Sequence, residues 1–144
     1  MKRFRIISIL LAVSFAISCN TVGEPVEFAT ACSPDYEKKT VEISGFLSDK
    51  GGVFCSNIGG GSVKCGLKFT ETPESEKSIS ADIVQGTWAN NVEKLERGYK
   101  KGDIKIHDND GNIINIADKV KITGTLNTTS DPNVCFVSVA KITK

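Results

Sequence analysis

From Lys39 onward, apolar side chains recur at every second residue. A strand with one buried face satisfies that period and a helix does not. Val63, Cys65, Leu67 and Phe69 fall on one face of such a strand, and Lys64 and Lys68 on the other. Val41, Ile43, Gly45 and Leu47 alternate in the same way with Glu42, Ser44 and Phe46. Residues 119–126 alternate cleanly, and the last strand, 134–142, carries Cys135, Val137 and Val139 on one side. Residues 79–84 offer one more strand. The joints carry turn chemistry: Gly51-Gly52, Gly59-Gly60-Gly61 and Asp131-Pro132-Asn133. Asp108-Asn109-Asp110-Gly111-Asn112 lies between Ile104-Lys105-Ile106 and Ile113-Ile114, a hairpin signal because the turn needs a residue at positive φ.

One segment changes period. Trp88, Val92, Leu95 and Tyr99 stand four, three and four residues apart, which places them on one helical face. Thr87 is the expected N-cap, and Gly98 or Gly102 the expected end. The spacing predicts one helix of about three turns. Trp88 and Tyr99 then plug a barrel or cover a sheet, and ligand stacking is the competing reading.

Five or six short strands and one helix within about 105 residues describe a mainly β domain, a small barrel, with a β-sandwich or α+β roll as the alternative. The order resembles the OB-fold, in which a helix between strands three and four caps the barrel. The resemblance rests on Val41-Glu-Ile-Ser-Gly-Phe-Leu, on Asp118-Lys-Val-Lys-Ile-Thr-Gly-Thr-Leu and on Cys135-Phe-Val-Ser-Val-Ala-Lys-Ile, and it covers residues 39–143. The hairpin at 104–116 departs from the minimal five-strand plan. The resemblance implies ligand binding across strands two and three and the loops around them, where such barrels take oligonucleotides or oligosaccharides. On this assignment Lys64 and Lys68 share the outward face of strand two. Phe46 faces outward on strand one, and Phe54 lies in the adjoining loop. These four are the candidate ligand-binding residues, as basic side chains interleaved with aromatics form a stacking surface. The competing reading is a solvated strand face with an aromatic covered by a loop.

The start of the chain speaks of location. Lys2, Arg3 and Arg5 precede an apolar run at 6–17 that has the length of a signal-peptide core and is too short for an ordinary transmembrane helix. Ala16-Ile17-Ser18-Cys19 resembles the lipobox of bacterial lipoproteins, with Ala16 where leucine is commoner. The resemblance implies removal of residues 1–18 and a lipid anchor on Cys19. Residues 19–27 become the lipidated cysteine and its tether, and 28–144 a single OB-like domain. The expected place is a bacterial cell envelope, on a periplasmic or surface face. Asn20, where an aspartate would signal retention at the inner membrane, favours the outer membrane. Ordinary cleavage before Cys19, leaving a free thiol, is the alternative.

With Cys19 lipidated, four of the five cysteines remain, an even set suited to an oxidising compartment. Three pairings are open. The favoured one joins Cys55 to Cys65 around the triglycine loop and Cys32 to Cys135 across the domain, closing one short loop and one long loop, the longer worth more in chain entropy. No Cys-x-x-Cys suggests redox chemistry, and no paired close spacing suggests zinc.

Three of the 18 basic residues and none of the 17 acidic ones precede Cys19, so the exported chain carries 15 against 17, a net charge of −2. That balance argues against nucleic acid as a partner. Asp108 to Asn112 fails as an EF-hand loop, because its sixth position is Ile113 where glycine is required. His107 is the only histidine and supports neither a metal site nor a triad. Gly59-Gly60-Gly61-Ser62 lacks the Gly-Lys-Ser/Thr ending of a phosphate loop. Arg97 is the only arginine after the signal, too little for a nuclease site. The expectation is a non-catalytic module without cofactor or metal that binds another envelope protein or a glycan. A structural accessory subunit of an envelope complex is the alternative.

Overall fold

The computed structural model describes residues 21–57 and 59–144; Cys19 and the signal lie outside the described residues. The strands in chain order are β1 (Glu24–Pro25), β2 (Thr40–Ser48), β3 (Phe54–Ser56), β4 (Lys64–Thr70), β5 (Ser78–Val84), β6 (Ile106–His107), β7 (Ile113–Ile114), β8 (Lys119–Thr128) and β9 (Cys135–Thr143). Five of them close on themselves in the circuit β2–β8–β9–β5–β4–β2. Every pairing in that circuit is antiparallel except β5 with β9. The first barrel strand thus borders the second and fourth, and the third runs parallel to the fifth. This is an OB-like barrel.

The period-two pattern sets the register. Ile43 and Leu47 of β2, Leu67 and Phe69 of β4, Ile79 and Ile83 of β5, Ile122 and Leu126 of β8, and Val137 of β9 are all buried. A slip of one residue in any of these strands would turn its apolar set to water. In β9 the buried positions change from odd (Val137, Val139) to even (Ile142). A bulge causes this: Gly124 pairs with Val139 but Thr123 pairs with Lys141, so Ala140 is passed over. A Cβ on Gly124 would lie 2.3 Å from the Ser138 carbonyl oxygen, so the close approach requires glycine. Gly45 plays the same part in β2, at the bend where the strand leaves β8 for β4.

An N-terminal arm joins this core. Phe28 is buried with its ring centroid 6.0 Å from that of Phe69, and Ala31 and Cys32 are buried beside it. The Cys32–Cys135 disulfide fastens the arm to the start of β9. Part of the segment expected as a free tether is docked. β1 pairs in parallel with β2, Glu24 against Val41, and Gly23 lies so close to the Val41 backbone that no side chain would fit.

The expected helix at 88–99 is absent. Among the described residues the only helical pieces are three-residue 3-10 turns, at Phe28–Thr30, Pro34–Tyr36 and Lys101–Asp103. Backbone pairing outcompetes the helical spacing. Val92 bridges Gln85 on one side and Ile106 on the other, with Val92 N–H donating to Val84 O at 3.0 Å and Glu93 N–H to Lys105 O at 2.9 Å. The local sequence also resists a helix: Asn90 sits at φ 62° and Gly98 at φ 81°. Val92 enters the core, Leu95 and Tyr99 pack partly against it, and Trp88 is 80% exposed. Trp88 therefore neither plugs the barrel nor covers a sheet. Ile104, Ile106 and Ile114, around the short β6–β7 hairpin, supply the core contacts expected of the helix.

Candidate functional site

The outer faces of β4 and β5, with the loop between β2 and β4, enclose an open groove of about 520 Å³. It is lined by Phe54, Ser56, Gly59, Gly61, Ser62, Lys64, Gly66, Ser80 and Asp82. Alternation builds it. Cys65 and Leu67 turn inward, which leaves Lys64 and Gly66 outward, and Ile79, Ala81 and Ile83 turn inward, which leaves Ser80 and Asp82 beside them. Gly66 pairs with Asp82 on one side and with Phe54 on the other, so this glycine is the floor between the aromatic and the carboxylate. A Cβ at Gly66 would lie 3.2 Å from Ser80 Oγ and 3.4 Å from Asp82 Oδ1.

Phe54 is held from two directions. Its neighbour Cys55 lies directly opposite Cys65 and is bonded to it, fixing β3 to the edge of β4. On the other side the Val53 N–H donates to the Tyr99 hydroxyl at 2.6 Å. Phe54 itself stays 73% exposed. Across the groove, Ser80 Oγ donates to Asp82 Oδ1 at 2.9 Å, and Asp82 Oδ2 has no hydrogen-bond partner among the described residues. Partial burial penalises the ionised form and raises the Asp82 pKa, against the Ser80 bond and the charge of Lys64.

Of the four expected ligand-binding residues the structure brings two together, Phe54 and Lys64. Lys68 is exposed two outward positions further along β4. There it borders a second depression of about 360 Å³ with Ser78, Ser80 and Val134, the last of these 51% exposed. Phe46 does not join them. It is half-buried on β2 opposite Thr70, six residues along β4 from Lys64, or about 20 Å of strand. β2 borders β4 only at Phe46 to Ser48, and β3 occupies the edge beside the groove. Sequence reasoning missed Gly66, Ser80 and Asp82. For Ser80 and Asp82 the signal is the polar half of the alternation at 79–84; for Gly66 it is only the outward place between Lys64 and Lys68.

Both disulfides join the favoured partners, Cys55 with Cys65 and Cys32 with Cys135. The acidic turn uses its own carboxylate: Asp108 Oδ1 accepts from the backbone N–H of Asp110 at 2.9 Å and of Asn112 at 2.8 Å. His107 lies in the hairpin, with Nδ1 3.2 Å from Gly111 O and Nε2 3.0 Å from Glu93 Oε1. No group of three or more His, Cys, Asp or Glu among the described residues is arranged to hold a metal ion. No known family, characterised protein or solved structure matches the chain significantly.

Proposed function

We propose that the chain is a non-catalytic binding module, anchored to a bacterial cell envelope through lipid on Cys19, whose ligand lies across the outer face of β4 and β5. The observation that carries this reading is Phe54. An aromatic left 73% exposed forgoes about 2 kcal/mol of burial, yet a cross-link one residue away holds this one at a groove. A fixed, exposed aromatic beside a cleft is the usual anchor of a binding surface. The face is also the one on which OB barrels take ligands. Another envelope protein or a glycan is the partner, and one lysine facing one carboxylate gives a nucleic acid no positive track to follow. Catalysis is not part of the reading, because among the described residues Asp82 has no second carboxylate and no histidine beside it in the groove.

Three residues, four chain steps, separate Cys19 from the docked Gly23, a reach of at most about 14 Å. The module then sits at the membrane surface, with the outer membrane as the favoured site. A second reading, a structural accessory subunit of an envelope complex, is supported by Trp88 and Ile113, 80% and 54% exposed.

The test is envelope capture by the full-length protein carrying Phe54→Ala and Lys64→Ala. The variant should keep the wild-type melting temperature and lose the co-isolated protein or glycan. Unchanged capture would move the function off this face and toward the accessory reading. Cys19→Ala should leave the membrane fraction or stall as precursor; retention with an unchanged lipid-bearing mass would remove the anchor from the account.

A further inference from the structure

We infer that the ligand of the Phe54 groove is a neutral, hydroxyl-rich sugar chain; this rests on the reading of the groove as a binding face. The groove presents three serine hydroxyls, Ser56, Ser62 and Ser80, along one cleft with a carboxylate. Ser56 and Ser62 can each donate and accept, and Ser80, whose O–H goes to Asp82, still accepts, so such a wall matches a partner whose own groups do both. Asp82 adds an acceptor with one oxygen already bonded to Ser80 and the other unengaged by the described residues, placed to take ligand O–H groups. Charge-assisted bonds of that kind are the stronger class.

The opposite wall is the Phe54 ring. Its face carries the negative part of the aromatic quadrupole, which suits the weakly positive C–H face of a pyranose. Gly66 completes the arrangement, as its outward position on the floor carries no side chain to rise between ring and carboxylate and block a sugar ring. About 520 Å³ lies within the ordinary range of ligand clefts.

Charge selects against the other ligand classes. Among the described residues Lys64 is the only cation lining the groove and Asp82 the only anion. A phosphate or uronate chain would meet a half-buried carboxylate with one lysine to offset it. A neutral chain meets no such penalty and satisfies both groups by hydrogen bonding. A peptide would be expected to pair along a strand edge, and β3 offers three residues for that.

The experiment is a titration of the isotope-labelled full-length protein, kept in a detergent without sugar headgroups, followed by backbone amide shifts. The probes are a panel of neutral tetrasaccharides of glucose and of N-acetylglucosamine, with oligo-dT and oligogalacturonate as anionic probes. A neutral tetrasaccharide should shift Gly66, Ser80 and Asp82, and the anionic probes should not. Phe54→Ala and Asp82→Asn should each weaken that binding roughly tenfold, the loss expected for one stacked ring or one charge-assisted bond. Gly66→Val should abolish it, with the Asp82→Asn result deciding the matter if the valine variant folds poorly. A neutral panel that leaves the three amides unmoved overturns the sugar inference. If an anionic probe moves them instead, the binding face survives and only the ligand class falls. Shifts confined to another part of the barrel, with the groove silent, overturn both.

Discussion

The two disulfides should differ in worth because of the loops they close. Cys32–Cys135 spans 103 residues and Cys55–Cys65 spans 10. Chain-entropy reasoning gives the long bridge about 4.7 kcal/mol and the short one about 2.7 kcal/mol. An unfolding entropy of about 2.1 cal/mol/K per residue over roughly 120 ordered residues converts these into losses of about 19 °C and 11 °C. The perturbation is the paired change to alanine, Cys32→Ala with Cys135→Ala against Cys55→Ala with Cys65→Ala, read by thermal melts followed by circular dichroism. The first pair should still fold, because Phe28 and Ala31 keep the arm in the core. The second pair should melt higher than the first and lose ligand capture, since it frees β3 and Phe54 from β4. Equal losses, or a larger loss from the short loop, would refute the reasoning.

The other predictions concern protons and single bonds. The Gly111 carbonyl and then the Glu93 carboxylate raise the pKa of His107 above its ordinary 6.5, against a smaller effect of burial. The protonated ring therefore contributes stability that is whole below about pH 6.5 and is lost as pH rises through the folded value. Urea midpoints should fall across that window in the wild type, and a His107→Gln variant that keeps the same slope would contradict this. Glu37 is the opposite case: the backbone and side-chain bonds from Thr128, and then Lys38, lower its pKa to about 2. Its contribution is present above about pH 4.5 and disappears as pH falls toward 2. Glu37→Gln should flatten stability over that range, and an unchanged acid limb would reject the clamp. Because burial raises the Asp82 pKa, its ionised form opposes folding at neutral pH. Asp82→Asn should thus melt higher while binding more weakly, a trade expected of a site kept for function; a lower melting temperature would argue against it. Tyr99→Phe removes the acceptor for Val53 N–H and should cost about 1 kcal/mol in a denaturant melt, with no loss counting against the loop restraint.

The barrel was legible in the sequence because period two carries both strand identity and facing. Val41, Ile43 and Leu47 lie inside as their alternation requires, and Lys64 and Lys68 lie outside. The cysteine pairing was legible by parity and loop spacing. The helix was misread because Trp88, Val92, Leu95 and Tyr99 share a helical spacing without sharing a burial. Val92 is inside by virtue of two bridges to distant residues, and Trp88 is in solvent. Such long-range pairing leaves no local trace beyond Asn90 and Gly98, which disfavour a helix. Alternation puts Phe46 outward on strand one and Phe54 in the adjoining loop, which groups the two beside strand two. The insertion of β3 at that edge separates them, and a three-residue strand is too short to announce itself by period. The docking of Glu24–Pro25 was likewise hidden, as two polar-looking residues give no strand signal and only Gly23 marks the close approach.

The central claim is that the Phe54 face, and not the Trp88 face, meets the ligand. A photo-activated amino acid placed at position 54 in one full-length variant and at position 88 in another, irradiated in intact cells, tests it directly. The account predicts a discrete adduct from position 54, to glycan or to a stoichiometric envelope protein, that disappears when Gly66 is replaced by valine. An adduct from position 88 alone would contradict it and leave the barrel as a structural subunit held through its exposed tryptophan.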